Sequence, residues 1–286
     1  MENPRVFVTG GDGFVGKSLR RTRSKAYVYD TSLDPQDDIR DLRRLKDAMN
    51  TFKPNIVVHL AALISAPQSE QPEWREAYTE VNVTGTEHVL RAAEASGVDT
   101  LLFSSSATAR DPESSYYAKT KSEGEKLLTE EAGSVRTIIF QNENLYGPGQ
   151  NPETPGLVTV LCQKALRREA LHMHGDGSTE KDFLYVDDLA SLMRDAVLLD
   201  HTTAPNGSTY QVGTGQSTPI RDIFHFVSSR FPGTVIEQIP TNGYTLNSRA
   251  NVAPLLHALG RPDFPFTPLH VGLEATARSI QASFAR

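Results

Sequence analysis

Residues 5–16 read RVFVTGGDGFVG: a short apolar run, then Gly10, Gly13 and Gly16, with a helical pattern starting at Phe14. No other stretch restricts the fold as strongly. A strand must stop, turn sharply and feed directly into a helix. Gly10 permits the tight turn, Gly13 lets the backbone approach a ligand, and Gly16 lets helix and strand pack closely. The same alternation then continues. AYVYD (26–30), NIVVHLAA (55–62), DTLLFSSS (99–106) and VRTIIF (135–140) read as strands. FVGKSLRRTR (14–23), DLRRLKDAMNTF (41–52), a long stretch over about 72–96, and SYYAKTKSEGEKLLTEE (115–131) read as helices. The strands are continuous apolar runs, the pattern of a sheet covered on both faces. The predicted fold is α/β, with a doubly wound parallel sheet.

The texture changes at Tyr146. YGPGQNPETPG (146–156) is a loop rich in Gly and Pro. A helix (157–168), GDGSTEKDFLYV (175–186), a helix from Asp187 and mixed segments follow. We read residues 1–145 as a dinucleotide-binding domain to which about 183–213 return. Residues 146–182 and 214–286 then form a smaller, partly interleaved substrate domain. A length of 286 residues accommodates both.

A net charge of −6 argues against general binding to nucleic acid or a membrane surface. The single cysteine, Cys162, excludes an intrachain disulfide and a thiolate metal cluster. His172 and His174 share one strand face without further ligands nearby, so no metal is expected. MENPRVFVTGG lacks an apolar signal core, and no apolar run approaches the roughly 20 residues of a membrane span, so the expected location is cytoplasmic. His59, Trp74 and the phenylalanines are assigned to packing, and Asp187 and Asp188 to a helix N-terminus.

The N-terminus of a helix that follows such a glycine turn offers free N–H groups and partial positive charge to phosphates. Asp30 closes the second strand twenty positions after Gly10. It can accept hydrogen bonds from both ribose hydroxyls and would repel a 2′-phosphate, which favours NAD over NADP. The alternative is an ordinary turn aspartate. Arg21 and Arg23 lie nearby, but neither directly follows Asp30.

Further landmarks follow in order: DDIRD (37–41), HLAA (59–62), VNVTGT (81–86), FSSSAT (103–108), a Tyr-x-x-x-Lys pair in YYAKTK (116–121), NLYGPGQ (144–150) and KDFLYVDDLA (181–190). Together they resemble the extended short-chain dehydrogenase/reductase family, and within it the NAD-dependent nucleotide-sugar epimerase/dehydratase branch. The resemblance implies cofactor contacts from Gly10, Gly13, Phe14, Val15, Gly16, Asp30, Asp38, Ile39, Leu60, Ala61, Ala62, Asn82, Ser104, Tyr117 and Lys121. It implies substrate contacts from Ser65, Ser106, Thr108, Asn144, Leu157, Lys181 and Arg249. It also implies a homodimer paired through the helices at about 72–96 and 115–131.

Residues four apart share a helix face, so Tyr117 and Lys121 form the pair. Tyr116, turned by about 100°, is left to packing or to the substrate pocket. The resemblance makes Tyr117 the acid–base group and gives Lys121 the tasks of lowering its pKa and holding the nicotinamide ribose. Ser106 would orient the reacting oxygen. Free tyrosine titrates near 10, so a neighbouring positive charge is needed to make it a base.

The chain departs from the family pattern in several places. The link ATARDPESS between the serine strand and Tyr117 is short, Gln141 and Lys181 stand where Arg is common, and the first helix and the link to Asp38 are compact. Ala107 and Thr108 replace the Asp-Glu pair of dehydratases. The expected activity is therefore epimerisation of a nucleotide-diphosphate sugar, at C4, through a keto intermediate. The alternatives are a dehydrogenase, reductase or dehydratase acting on a nucleotide sugar or another secondary alcohol, and a non-catalytic dinucleotide-binding sensor.

Overall fold

The computed structural model describes residues 4–22, 26–151, 156–241 and 247–284. Arg23 and residues 152–155 of the Gly/Pro loop lie outside the described residues. The first half runs β1 (Val6–Thr9), α1 (Phe14–Thr22), β2 (Ala26–Tyr29), α2 (Leu42–Phe52), β3 (Ile56–His59), α3 (Ala66–Ser69), α4 (Pro72–Thr79), α5 (Gly85–Ala95), β4 (Thr100–Ser106), α6 (Tyr116–Glu130) and β5 (Arg136–Asn142). The second half runs β6 (Asn144–Tyr146), α7 (Leu157–Leu166), β7 (Leu171–His174), β8 (Glu180–Tyr185), α8 (Val186–Ala196), β9 (Ser208–Val212), β10 (Ser217–Pro219), α9 (Ile220–Arg230), β11 (Ile236–Ile239), α10 (Ala253–Ala258) and α11 (Leu269–Phe284).

Six strands form one parallel sheet in the order β2-β1-β3-β4-β5-β9. Every residue of β1, β3 and β5 is buried, which explains their continuous apolar reading. Leu19 of α1 and Leu189, Leu192 and Met193 of α8 cover one face. Leu45 and Met49 of α2, Val89 and Leu90 of α5, and Leu128 of α6 cover the other. From β1 the chain adds β2 on one side and later β3 on the opposite side. The crevice beyond the carboxyl ends of β1 and β3 is therefore the switch point where such sheets bind ligands.

A separate apolar core joins Tyr146, Leu161, Cys162, Leu171, Phe224, Val227 and Leu273, contributed by β6, α7, β7, α9 and α11. It holds a three-stranded sheet, β10-β8-β6, and the β11-β7 pair. Asp182, fully buried in β8, accepts hydrogen bonds from the N–H groups of Thr214 (2.9 Å), Gly215 (2.9 Å) and Ala250 (3.2 Å). One carboxylate thereby pins two loops to the sheet.

The stretch expected over about 72–96 is helical to Ala95, with one wider π turn at Glu80–Thr84. The helix expected from Asp187 starts one residue earlier, at Val186. One expectation is corrected. Trp74 and Phe284 are 38% and 52% exposed instead of packed.

Candidate active site

Gly10 adopts φ +67°, and a Cβ there would come within 2.6 Å of the Ala61 nitrogen. The turn after β1 is thus pressed against the turn after β3. A Cβ on Gly16 would lie 2.5 Å from the Gly11 carbonyl oxygen, so α1 can sit this close only with glycine there. Gly10→Ala combines left-handed backbone strain with a backbone clash, and a loss of about 3 kcal/mol is expected. Urea unfolding reads that loss, and titration with NAD should show weakened binding alongside it.

A cavity of about 1390 Å³ runs from this turn across the sheet edge to Ser106, Tyr117, Lys121 and Asn144. It is lined by Gly10, Gly13, Phe14, Val15, Gly16, Asp30, Asp38, Ile39, Leu60, Ala61, Ala62 and Ser104, all expected from the sequence. The glycine cradle, the N-terminal turn of the nine-residue α1 and the acid at the end of β2 fit a dinucleotide: bare backbone for the pyrophosphate, a carboxylate for the ribose. Asp12 would oppose a phosphate, but Lys17 (3.2 Å) and Arg20 (3.2 Å) offset its charge. Asp30 already accepts from Asp12 N–H (2.8 Å) and Ser32 N–H (2.9 Å), which orients its carboxylate and leaves acceptor capacity for hydroxyls. The Arg40 fork on Asp38 holds that carboxyl below its ordinary pKa.

The residues expected to carry proton chemistry lie at the far end. Tyr117 and Lys121 face the cavity from α6, with Ser106 at the end of β4. Tyr116 turns away and shares a hydrogen bond with Thr79 (2.8 Å), under the guanidinium of Arg75, so it is a packing residue. The Tyr78 and Tyr117 rings pack edge to face at 6.5 Å between centroids. Burial pushes the Tyr117 phenol up to about 12, and the hydrogen bond with Ser106 works against that rise. Burial brings Lys121 down to about 7, opposed by Glu125. The Lys121 ammonium donates to the Ser104 carbonyl (2.7 Å) and lies 4.0 Å from the centre of the Phe103 ring. In the protein by itself, desolvation dominates both groups.

The short link is two tight 3₁₀ turns, Ala107–Arg110 and Pro112–Ser114, after which Ser115 caps α6 by accepting from Ala118 N–H (3.1 Å). It delivers Arg110 to Glu143, at 2.5 Å. Ser105 of the cavity wall and Gln141 (2.8 Å) both donate to Glu125. Gln141, where Arg is common, thus serves a half-buried carboxylate.

Several expected residues do not line the cavity. Asn82 is buried beneath it, accepting from Leu63 N–H (2.9 Å) and donating to Leu63 O (3.0 Å) and Thr120 (3.0 Å). It ties the lining turn after β3 to α6. Ser65 caps α3, accepting from Gln68 N–H. Thr108 hydrogen-bonds Ser106 (2.9 Å) from an exposed position. Leu157 packs into the second core. Lys181 lies within electrostatic reach of Glu143. Arg249 is exposed and donates to the Gly215 carbonyl (2.6 Å). Conversely, Asn142, Glu143 and, from α7 and α11, Gln163, Ser279 and Ser283 line the cavity without having been anticipated. A charged residue closing an apolar strand was the available signal for Glu143.

His59 is structural, as expected. Its ring nitrogens meet Thr9 (2.7 Å) and Thr86 (3.0 Å), and burial, with the Lys121 charge adding to it, lowers its pKa to about 3. Among the described residues no cluster of metal-ligating side chains is found, and no helix is long and apolar enough to cross a membrane.

A family model described as the NAD dependent epimerase/dehydratase family matches residues 6–213. The chain is similar to the UDP-glucose 4-epimerase of Rhizobium meliloti, at 28% identity over 78% of this chain and 80% of that one. It is similar at 26% identity to the 2-alkyl-3-oxoalkanoate reductase of Stenotrophomonas maltophilia, over 77% and 73%. The structure of Thermus thermophilus UDP-glucose 4-epimerase in complex with NAD superimposes with a TM-score of 0.82 at 24% identity, covering 98% of this chain and 99% of that one. The glycine turn, the parallel sheet and the matched span lead to one conclusion: the chain belongs to the NAD-dependent epimerase/dehydratase family.

Proposed function

We propose that the protein epimerises a nucleotide-diphosphate sugar at C4 through a keto intermediate. One observation carries the reading: the dinucleotide cradle and the Ser106, Tyr117, Lys121 group open into the same cavity. NAD, when bound, accepts hydride from the sugar carbon and returns it. Tyr117 removes the hydroxyl proton and gives it back to the keto oxygen. Ser106 hydrogen-bonds that oxygen and holds it against the phenol. Lys121 fixes Ser104 and supplies donors to the cofactor ribose. Asn144 in the cavity wall, with Lys181 behind it, is assigned to the sugar diphosphate. Elimination of water needs an additional acid and base, and Ala107 and Thr108 follow Ser106 where those would stand. Dehydration therefore ranks below epimerisation.

The reductase relative favours a second reading, net oxidation or reduction of a secondary alcohol by the same group. Incubation with NAD and a panel of nucleotide sugars separates the two, with products followed by NMR and nicotinamide absorbance together. Isomerised sugar at flat absorbance is the expected result. Stoichiometric growth of NADH would replace the epimerase reading by the dehydrogenase one.

A further inference from the structure

Glu125 is a half-buried carboxylate one turn beyond Lys121, and it takes no part in the hydride and proton transfers. Its partners lie on two strands. Ser105 Oγ donates to one oxygen, and Gln141 Nε2 donates to the other at 2.8 Å. Tyr117, Lys121 and Glu125 are spaced by four on α6 and lie on one face. That row meets the last three residues of β4. The Tyr117 phenol hydrogen-bonds Ser106, the Lys121 ammonium donates to the Ser104 carbonyl at 2.7 Å, and Glu125 takes the Ser105 hydroxyl. The strand end is itself fixed from β5, where Asn142 donates to Ser104 Oγ (2.9 Å) and to the Ser105 carbonyl (3.1 Å). The carboxylate thus docks the reactive face of the helix on a strand end that is already held.

We propose that Glu125 is a positioning residue for the reaction, holding Lys121 against Ser104 and Tyr117 against Ser106 by docking α6 on β4 and β5. This rests on the roles given to Tyr117 and Lys121 above.

The carboxylate has a second effect, through its charge. Burial lowers the Lys121 pKa to about 7, and Glu125 opposes that fall. Burial raises the Glu125 carboxyl, while Ser105, Gln141, Lys121 and Arg110 act the other way. His59 on β3 feels the Lys121 charge but is neutral near pH 7, since burial brings its pKa to about 3. Tyr117 stays protonated, its pKa pushed up to about 12. Glu125 is therefore the charged neighbour that favours the ammonium.

The test compares Glu125→Gln and Glu125→Ala with wild type, with circular dichroism reporting that each is folded. The Gln side chain can accept from Ser105 while Gln141 turns its own amide, so the docking survives and the charge is lost. Ala loses both. In the cofactor-free protein the NMR signal of the Lys121 ε-methylene, identified by its absence in Lys121→Met, is followed against pH. Its midpoint should fall by about one unit in Glu125→Gln, the low end of what a close opposite charge produces. With UDP-glucose and NAD at pH 6, Glu125→Gln should stay within about threefold of the wild-type kcat, since part of Lys121 gives up its proton. Glu125→Ala should lose at least about tenfold, on the way to the roughly hundredfold cost of an ångström's misplacement. An unmoved midpoint in Glu125→Gln, an Ala variant as active as wild type, or a Gln variant as impaired as the Ala one overturns the proposal and leaves the roles of Tyr117 and Lys121 standing. Should Glu125→Ala fail to fold, the Glu125→Gln midpoint decides. A wild type that binds NAD but leaves UDP-glucose unchanged counts against the nucleotide-sugar reading, and the midpoint still decides on Glu125.

Discussion

Tyr117→Phe is expected to lower kcat by about 10²–10⁴-fold, the contribution of one positioned acid–base group, with NAD affinity changed little. The substitution removes only the hydroxyl. The ring keeps its edge contact with Tyr78, and the backbone N–H of residue 117 keeps its bond to Ser69 at 2.9 Å. Lys121 stays on the Ser104 carbonyl and the glycine turn is untouched, so cofactor binding and chemistry separate in this variant. The pH dependence adds a second readout. Burial holds the phenol protonated, with its pKa pushed up to about 12. The wild-type rate for removing the sugar proton should therefore rise with pH toward the point where Tyr117 ionises. Any positive charge brought beside the phenol moves that point down. The Phe variant should show no such limb. Retention of more than about a tenth of the wild-type kcat, or an unchanged pH limb, would remove Tyr117 from the acid–base role.

Much of the fold was legible because its signals are local. A strand buried on both faces carries an apolar run at its centre, and β1, β3 and β5 do, with polar residues only toward their ends. A left-handed turn against a neighbouring backbone requires glycine, and Gly10 is there. Helix register separates Tyr117 from Tyr116 by arithmetic alone. What could not be read depends on contacts between distant segments. Asn82 reads as a site residue but spends its amide on Leu63 and Thr120, because the turn after β3 needs an anchor. Trp74 reads as core, yet it stays 38% exposed on its helix. Arg110 and Glu143 are thirty-three positions apart and meet only because the link after β4 coils into two 3₁₀ turns. Spacing puts a lysine one turn from a tyrosine, but only the packed structure shows how strongly burial acts on each, raising the Tyr117 pKa and lowering that of Lys121.

Lys121→Met should abolish turnover and yet make the protein more stable at neutral pH, by about 2 kcal/mol. Lys121 is 2% exposed, and burial brings its pKa from an ordinary 10.5 down to about 7. Between those values the unfolded chain carries a proton there that the folded chain has lost. The linkage makes stability rise with pH across this window. The contribution is fully present above about 10.5 and is lost as pH falls toward 7. At about 1.4 kcal/mol per pKa unit, the neutral-pH penalty is on the order of 4 kcal/mol. Methionine removes it, but leaves the Ser104 carbonyl without its donor, which costs about 1–3 kcal/mol in return. Its thioether keeps an apolar contact over the Phe103 ring. Urea unfolding at pH 7 and pH 10 checks both signs. The gap between variant and wild type should shrink over that interval; Cys162 and Tyr117, whose pKa values burial raises, titrate alike in both proteins and cancel from the difference. A variant less stable at pH 7, or a gap that does not change with pH, would show that Lys121 is accommodated without strain. The expected outcome has a direct bearing on function. A buried ammonium that costs stability in the free protein would support the functional role proposed for Lys121, since packing alone would be better served by methionine.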